Sequence, residues 1–179
     1  AYMDNFNKEK HAHLTALTKI PTVPTGIYPA KKHSLKEVAK GDTVAIPNDP
    51  SNMARAYNVL VKAGWITLKK GVDPIKATSK DIATNKYDLK ITAMQDVQIP
   101  RSRSDFDYVI LPGSTAYPAK ISTKTMLISE DIKPDYYLVA AVNKQDKDKK
   151  WAKVVDKAYH SKAFKEYLQK HNKDSFWNI

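Results

Sequence analysis

Short apolar runs recur along this chain, and helical patterns separate them. The runs are His13–Ala16, Thr43–Ile46, Leu89–Ala93, Tyr108–Leu111, Thr125–Ile128 and Tyr136–Val142. Several are continuous rather than alternating, which marks strands covered on both faces. Strands of this kind alternating with helices predict an α/β architecture with a mainly parallel sheet. Ser34-Leu35-Lys36-Glu37 reads as a capping box, in which Ser34 caps and Glu37 reaches back, opening a short helix that ends near Gly41. A second helix is expected from Pro50-Ser51, with Met53, Ala56, Tyr57, Leu60 and Val61 on one face and Gly64 as its stop. Near the end, Trp151, Val154, Val155 and Ala158 form one apolar stripe, and Ala163, Phe164, Tyr167 and Leu168 form another. Both stripes are expected in the core.

The absence of cysteine excludes disulfides, thiol catalysis, iron–sulfur clusters and cysteine-ligated zinc. No stretch approaches the ~18 apolar residues of a membrane span. The net charge of +11 raises nucleic acid as a partner. The detail argues against it, because only Arg55, Arg101 and Arg103 are arginines and the other basic residues are lysines spread along the chain. Nucleic-acid readers use arginine forks and stacked aromatics. The densest basic run, Lys144-Gln145-Asp146-Lys147-Asp148-Lys149-Lys150, is diluted with acid and holds no aromatic. A solvated lysine surface is the expected reading, with attraction to an anionic envelope as a secondary consequence.

In open α/β sheets, ligands bind beyond the carboxyl ends of strands. The clearest such junction runs from the strand Thr43–Ile46 through Pro47-Asn48-Asp49-Pro50-Ser51-Asn52 into a helix that carries Arg55 in or near its first turn. A helix start offers free N–H groups and a positive dipole end. Arg55 can add a bidentate pair to an anion there. The alternative is a loop that merely caps a helix and an arginine in a surface ion pair.

The same junction resembles a signature of the NlpA family, the methionine-binding-type lipoproteins that serve as substrate-binding components of ABC importers. The stretch Ile46-Pro47-Asn48-Asp49-Pro50-Ser51-Asn52 followed by Arg55-Ala56 carries the resemblance. Three other stretches agree in order. Ala1–Glu9 is similar to the family's Pro-Tyr-Leu-Asp-x-Phe-Asn-Lys-Glu. Gly26-Ile27-Tyr28, followed by Ser34–Val38, looks like the entry into the family's second lobe. Gln98-Ile99-Pro100-Arg101-Ser102 resembles its Gln-Leu-Pro-Arg-Ser segment.

The resemblance implies a two-lobe, periplasmic-binding-protein-like (type 2) α/β fold with mainly parallel sheets. Lobe two would be residues 28–121, and lobe one residues 1–27 and 122–179. The family begins with a lipoprotein leader and the first elements of lobe one, whereas this chain matches from a middle segment. Lobe one is therefore expected to be incomplete. The chain would be a fragment, or self-association through the open sheet edge would supply what is missing. The implied function is capture of an amino acid or short peptide in an interlobe cleft and delivery to an ABC permease. The full-length form would be lipid-anchored outside the cytoplasmic membrane.

By the same resemblance, Arg55 takes the ligand's carboxylate, Tyr2 packs on its side chain, and Asn48 and Asn52 shape the loop, with Asn52 near the ligand. Ser114 and Tyr137 fall where the family places amides. The family's Asn-Gly-Asn-Tyr-Ala appears as Pro112-Gly113-Ser114-Thr115-Ala116, and a later family Asn falls on Tyr137. Its Thr-His-Ile-Glu-Pro stretch appears as Ile20-Pro21-Thr22-Val23-Pro24. Proline has no N–H donor, and tyrosine is larger than asparagine. Methionine is therefore expected not to be the best ligand.

An enzyme is not expected, nor any cofactor. There is no Gly-rich phosphate loop, serine nucleophile elbow or His-Glu-x-x-His motif. His11 and His13 could share a strand face, but no third ligand is spaced with them. Asp105 and Asp107 read as turn residues. The other function considered is a surface adhesion or interaction protein that keeps the binding-protein fold without transport.

Overall fold

Two faces of one sheet account for most of the buried side chains. In a computed structural model that describes residues 1–172 and Trp177, the chain divides into two units: residues 24–131, and a smaller unit of residues 1–23 and 132–179. The chain crosses between them after Val23 and after Asp131. The positions 27/28 and 121/122 read from the sequence fall within the larger unit.

The larger unit contains β2 (Thr25–Pro29), β3 (Thr43–Pro47), α2 (Pro50–Lys62), β4 (Ile66–Leu68), β5 (Ile82–Asn85), β6 (Lys90–Met94), β7 (Tyr108–Pro112), α3 (Gly113–Ala116) and β8 (Ile128–Ser129). The central sheet has the order β6-β3-β7-β2-β8. β6, β3 and β7 are parallel, β2 runs against β7, and β8 runs against β2, so β2 alone is reversed. The mainly parallel expectation holds for this sheet. β4 and β5 form a separate antiparallel pair.

Side chains alternate across each central strand. Val44 and Ile46 of β3, Tyr108 and Ile110 of β7, and Ile27 of β2 face α2, where Tyr57, Leu60 and the following Trp65 close over them. Tyr28, Ala45, Val109 and Leu111 face the other way, with Ile99 and Ala116. Both faces are covered, which is why these strands carry no polar alternation. Trp65 packs on Tyr108 with ring centroids 4.8 Å apart, and the Tyr108 hydroxyl donates to the Ser34 carbonyl.

The ends of α2 follow from its sequence. Asp49 is the N-cap and accepts from the Asn52 N–H at 3.0 Å, while Pro50 opens the first turn. Gly64, at φ +73°, ends the helix: its N–H donates to the Val61 carbonyl and that of Trp65 to the Leu60 carbonyl. The expected helix after Ser34 is only a 3-10 turn, Leu35–Glu37. Ser34 caps it, but Glu37 reaches the His33 N–H rather than that of Ser34. Likewise, of the run Thr125–Ile128, Thr125 ends the 3-10 turn Thr123–Thr125 and only Ile128 lies in a strand, Ile128–Ser129.

Asp107 is more than a turn residue. Its carboxylate accepts from the Thr43 N–H at 2.8 Å and the Thr43 hydroxyl at 2.9 Å, tying β7 to β3. Burial alone would raise this carboxyl, but the Thr43 hydrogen bonds and the charges of Lys32 and Lys31 together hold it below the usual range. A depressed native value stabilises fully above the ordinary carboxylate value and is lost as pH falls through the depressed one. The melting temperature should therefore fall on acidification below about pH 4, and Asp107→Asn should flatten that fall. Equal slopes in thermal melts of the two proteins would contradict the assignment.

The smaller unit contains α1 (Tyr2–Lys10), β1 (Leu14–Lys19), β9 (Val139–Asn143), α4 (Lys150–Tyr159) and α5 (Lys162–His171). β1 and β9 form an antiparallel pair. The two stripes expected in the core are largely exposed. Trp151, Val154 and Tyr167 are 50%, 65% and 55% exposed. α4 buries only Ala152, and α5 only Leu168. A two-stranded sheet offers too little surface to cover two amphipathic helices.

Candidate functional site

The register of the central sheet brings several chain segments to one edge of the larger unit. β3 and β7 run parallel, so the turns that follow them, into α2 and α3, leave the sheet at the same edge. β2 is reversed, and Thr25, its first residue, lies opposite Pro112, the last of β7. Ser129 of β8 lies opposite Gly26, which delivers Glu130 to the same edge. This is the carboxyl end of the parallel strands, where ligands bind in open α/β sheets.

Arg55 lies on this edge, on the second turn of α2. It is 5% exposed, not a surface arginine. Its partner is Glu130, itself 6% exposed. Arg55 Nε donates to both Glu130 oxygens, at 3.0 and 3.2 Å, and Nη2 donates to Glu130 Oε1. Nη1 donates to Asn52 Oδ1 at 3.2 Å. Asn52 is held in turn by Asp49, to which both its N–H and its amide donate at 3.0 Å. Glu130 Oε1 also accepts from the Thr25 N–H at 2.7 Å. The guanidinium is therefore gripped on the Nε–Nη2 edge from the β8 side and at Nη1 from its own helix.

The other residues named from the sequence are placed as follows. Asn48 is exposed between β3 and α2, and Ser114 is exposed on α3 after β7. With Asn52 and Arg55 they share one sheet edge. Pro112, at the end of β7, is buried. Tyr2 and Tyr137 belong to the smaller unit, 61% and 39% exposed, with Lys19 Nζ 4.9 Å from the Tyr137 ring centroid. Among the described residues, no group of three or more His, Asp or Glu is placed to hold a metal ion, and no helix is long and apolar enough to cross a membrane.

Glu130 and Thr25 were not anticipated from the sequence. The signal for Glu130 is indirect: an arginine on the buried side of α2 needs a carboxylate. Glu130 follows the apolar run Met126-Leu127-Ile128 after one serine. Thr25 Oγ1 and Tyr28 Oη are buried without a hydrogen-bond partner among the described residues, and burial pushes the Tyr28 hydroxyl up to about 12.

The sequence model of the NlpA lipoprotein family matches residues 1–179. The chain belongs to the NlpA lipoprotein family. Among NlpA relatives, the D-methionine-binding lipoprotein MetQ of Salmonella typhi is 33% identical over 163 residues, covering 89% of this chain and 60% of that protein. The chain thus spans about 60% of the length of such curated relatives. A nutrient-binding protein from Burkholderia cenocepacia, solved bound to methionine, superposes with a TM-score of 0.91 at 35% identity, covering 99% of this chain and 76% of that one. An ABC-transporter periplasmic substrate-binding protein from Coxiella burnetii superposes at 0.87 with 33% identity, covering 94% and 71%. The fold of this NlpA chain is that of substrate-binding proteins.

Proposed function

We propose that this NlpA chain captures a small amino-acid-like ligand for an ABC importer, with Arg55 receiving the ligand's carboxylate. The observation that carries this reading is the placement of a buried, doubly braced guanidinium at the carboxyl edge of the sheet. Bracing fixes the fork before a ligand arrives, which lowers the ordering cost of binding. Asn52 acts through Arg55, and Asn48 and Ser114 offer polar groups on the same edge. Tyr2 and Tyr137 are proposed as ligand contacts. Delivery to a permease and lipid anchoring of the whole protein complete the reading, supported by relatives described as lipoproteins and as transporter binding proteins.

The ligand is an amino acid or short peptide other than methionine. Relatives are named for methionine, but here Pro112 and Tyr137 stand where the family resemblance places amides. A thermal-shift panel of amino acids and dipeptides on the full chain tests both points. At least one compound should raise Tm, since about 2.7 kcal/mol of stabilisation accompanies a ligand at a hundred times its Kd. Calorimetry should then rank L-methionine below it. No shift with any compound would remove the capture role, and tight methionine binding would remove the altered preference.

A further inference from the structure

Glu130 is engaged more heavily than a simple counter-ion. Its carboxylate accepts from Arg55 Nε, from Arg55 Nη2 and from the Thr25 N–H, and its own N–H donates to the Thr25 carbonyl at 2.9 Å. The side chains of the pair are 7% and 2% exposed, so little solvent screens them.

We propose that Glu130 is the specificity-determining positioning residue of this site, restricting Arg55 to zwitterionic ligands over simple carboxylate anions. The proposal rests on the reading that Arg55 receives a ligand carboxylate. A lone buried guanidinium would attract any anion that fits. Paired with Glu130, it presents a neutral centre with a fixed direction. A simple carboxylate entering such a centre leaves one uncompensated negative charge away from water, which is costly. An amino acid or peptide brings its own ammonium, so the occupied site stays neutral. The same carboxylate that repels the anion attracts that ammonium. Glu130 also sets which donors the guanidinium can offer, because it holds the Nε–Nη2 edge while Asn52 holds Nη1. It acts through Arg55, and its contribution is orientation and charge.

Glu130→Gln keeps the size and an acceptor oxygen and removes the charge. Calorimetry on the full chain would use the tightest-binding amino acid of the thermal-shift panel, its deaminated analogue (the plain carboxylate) and its decarboxylated analogue (the plain amine). The wild type should prefer the amino acid to both. In Glu130→Gln the preference over the deaminated anion should fall by about ten-fold or more, chiefly because the anion binds better. Glu130→Asp, which keeps the charge, should retain the preference with weaker binding. A merely structural role would weaken all three ligands together, and an unchanged ratio would overturn the proposal. A ligand-free measurement accompanies this: the Arg55 Nε–H resonance in 15N NMR should be ordered and slow to exchange in the wild type and should lose both properties in Glu130→Gln. An unaffected resonance overturns the positioning role directly. If the resonance responds but no amino acid or dipeptide of the panel binds the wild type, the reading of Arg55 as a ligand group fails, and the selectivity role falls with it.

Discussion

Gly26→Ala is expected to destabilise the larger unit by about 3 kcal/mol, at the upper end of overpacking costs. Gly26 pairs with Leu111 of β7 on one side and Ser129 of β8 on the other. A Cβ at this position would overlap the Met126 side chain and lie 2.6 Å from the Ile128 carbonyl oxygen. The methionine is flexible and can move. The carbonyl belongs to β8, which is anchored by the Leu127 N–H on the Ile27 carbonyl at 2.8 Å. β8 would have to separate from β2, which would also pull Glu130 from Thr25 and Arg55. Thermal denaturation should show a fall in Tm on the order of 10–20 °C. Adding Met126→Ala should restore only part of it. An unchanged Tm, or full recovery with Met126→Ala, would show that the Ile128 carbonyl imposes no constraint.

Arg55→Met should cost about 3–5 kcal/mol, because it leaves Glu130 buried without its cation. Replacing both partners removes the stranded charge, so Arg55→Met with Glu130→Leu should be more stable than Arg55→Met alone. The recovery should be incomplete, since the Thr25 N–H then loses its acceptor at a cost of about 1–3 kcal/mol. Denaturant melts of the two single variants and the double variant form the cycle. Additive losses would mean that the two side chains do not depend on each other for burial.

The strand-to-helix junction was legible because its signals are local. The apolar run Val44-Ala45-Ile46, the Asp49 cap, the proline after it and Gly64 each act within a few residues, and the structure places β3 and α2 where they point. β2 was harder to read as a strand. Thr25–Pro29 includes a glycine and a proline, and its strand character comes from β7 and β8 on either side. The C-terminal stripes were misjudged for a different reason. Periodicity shows that Trp151 and Val154 share a face of α4 but not whether anything lies against it. Arg55 stood out through its junction, whereas Glu130 lies 75 residues away and is joined to it only by the tertiary fold. No local pattern announces a partner at that distance. The +11 charge carried little of this information: Arg55 is inside and neutralised, and most of the remaining basic residues are lysines.

Calorimetry on the wild type and on Arg55→Lys, with the tightest compound from the amino-acid and dipeptide panel, tests the central claim most directly. Lysine keeps the charge but loses the planar fork that the braced site presents. The wild type should bind saturably, and Arg55→Lys should lose at least about ten-fold in affinity, or about 1.4 kcal/mol. Equal affinity in the two proteins, with both folded, would contradict the claim.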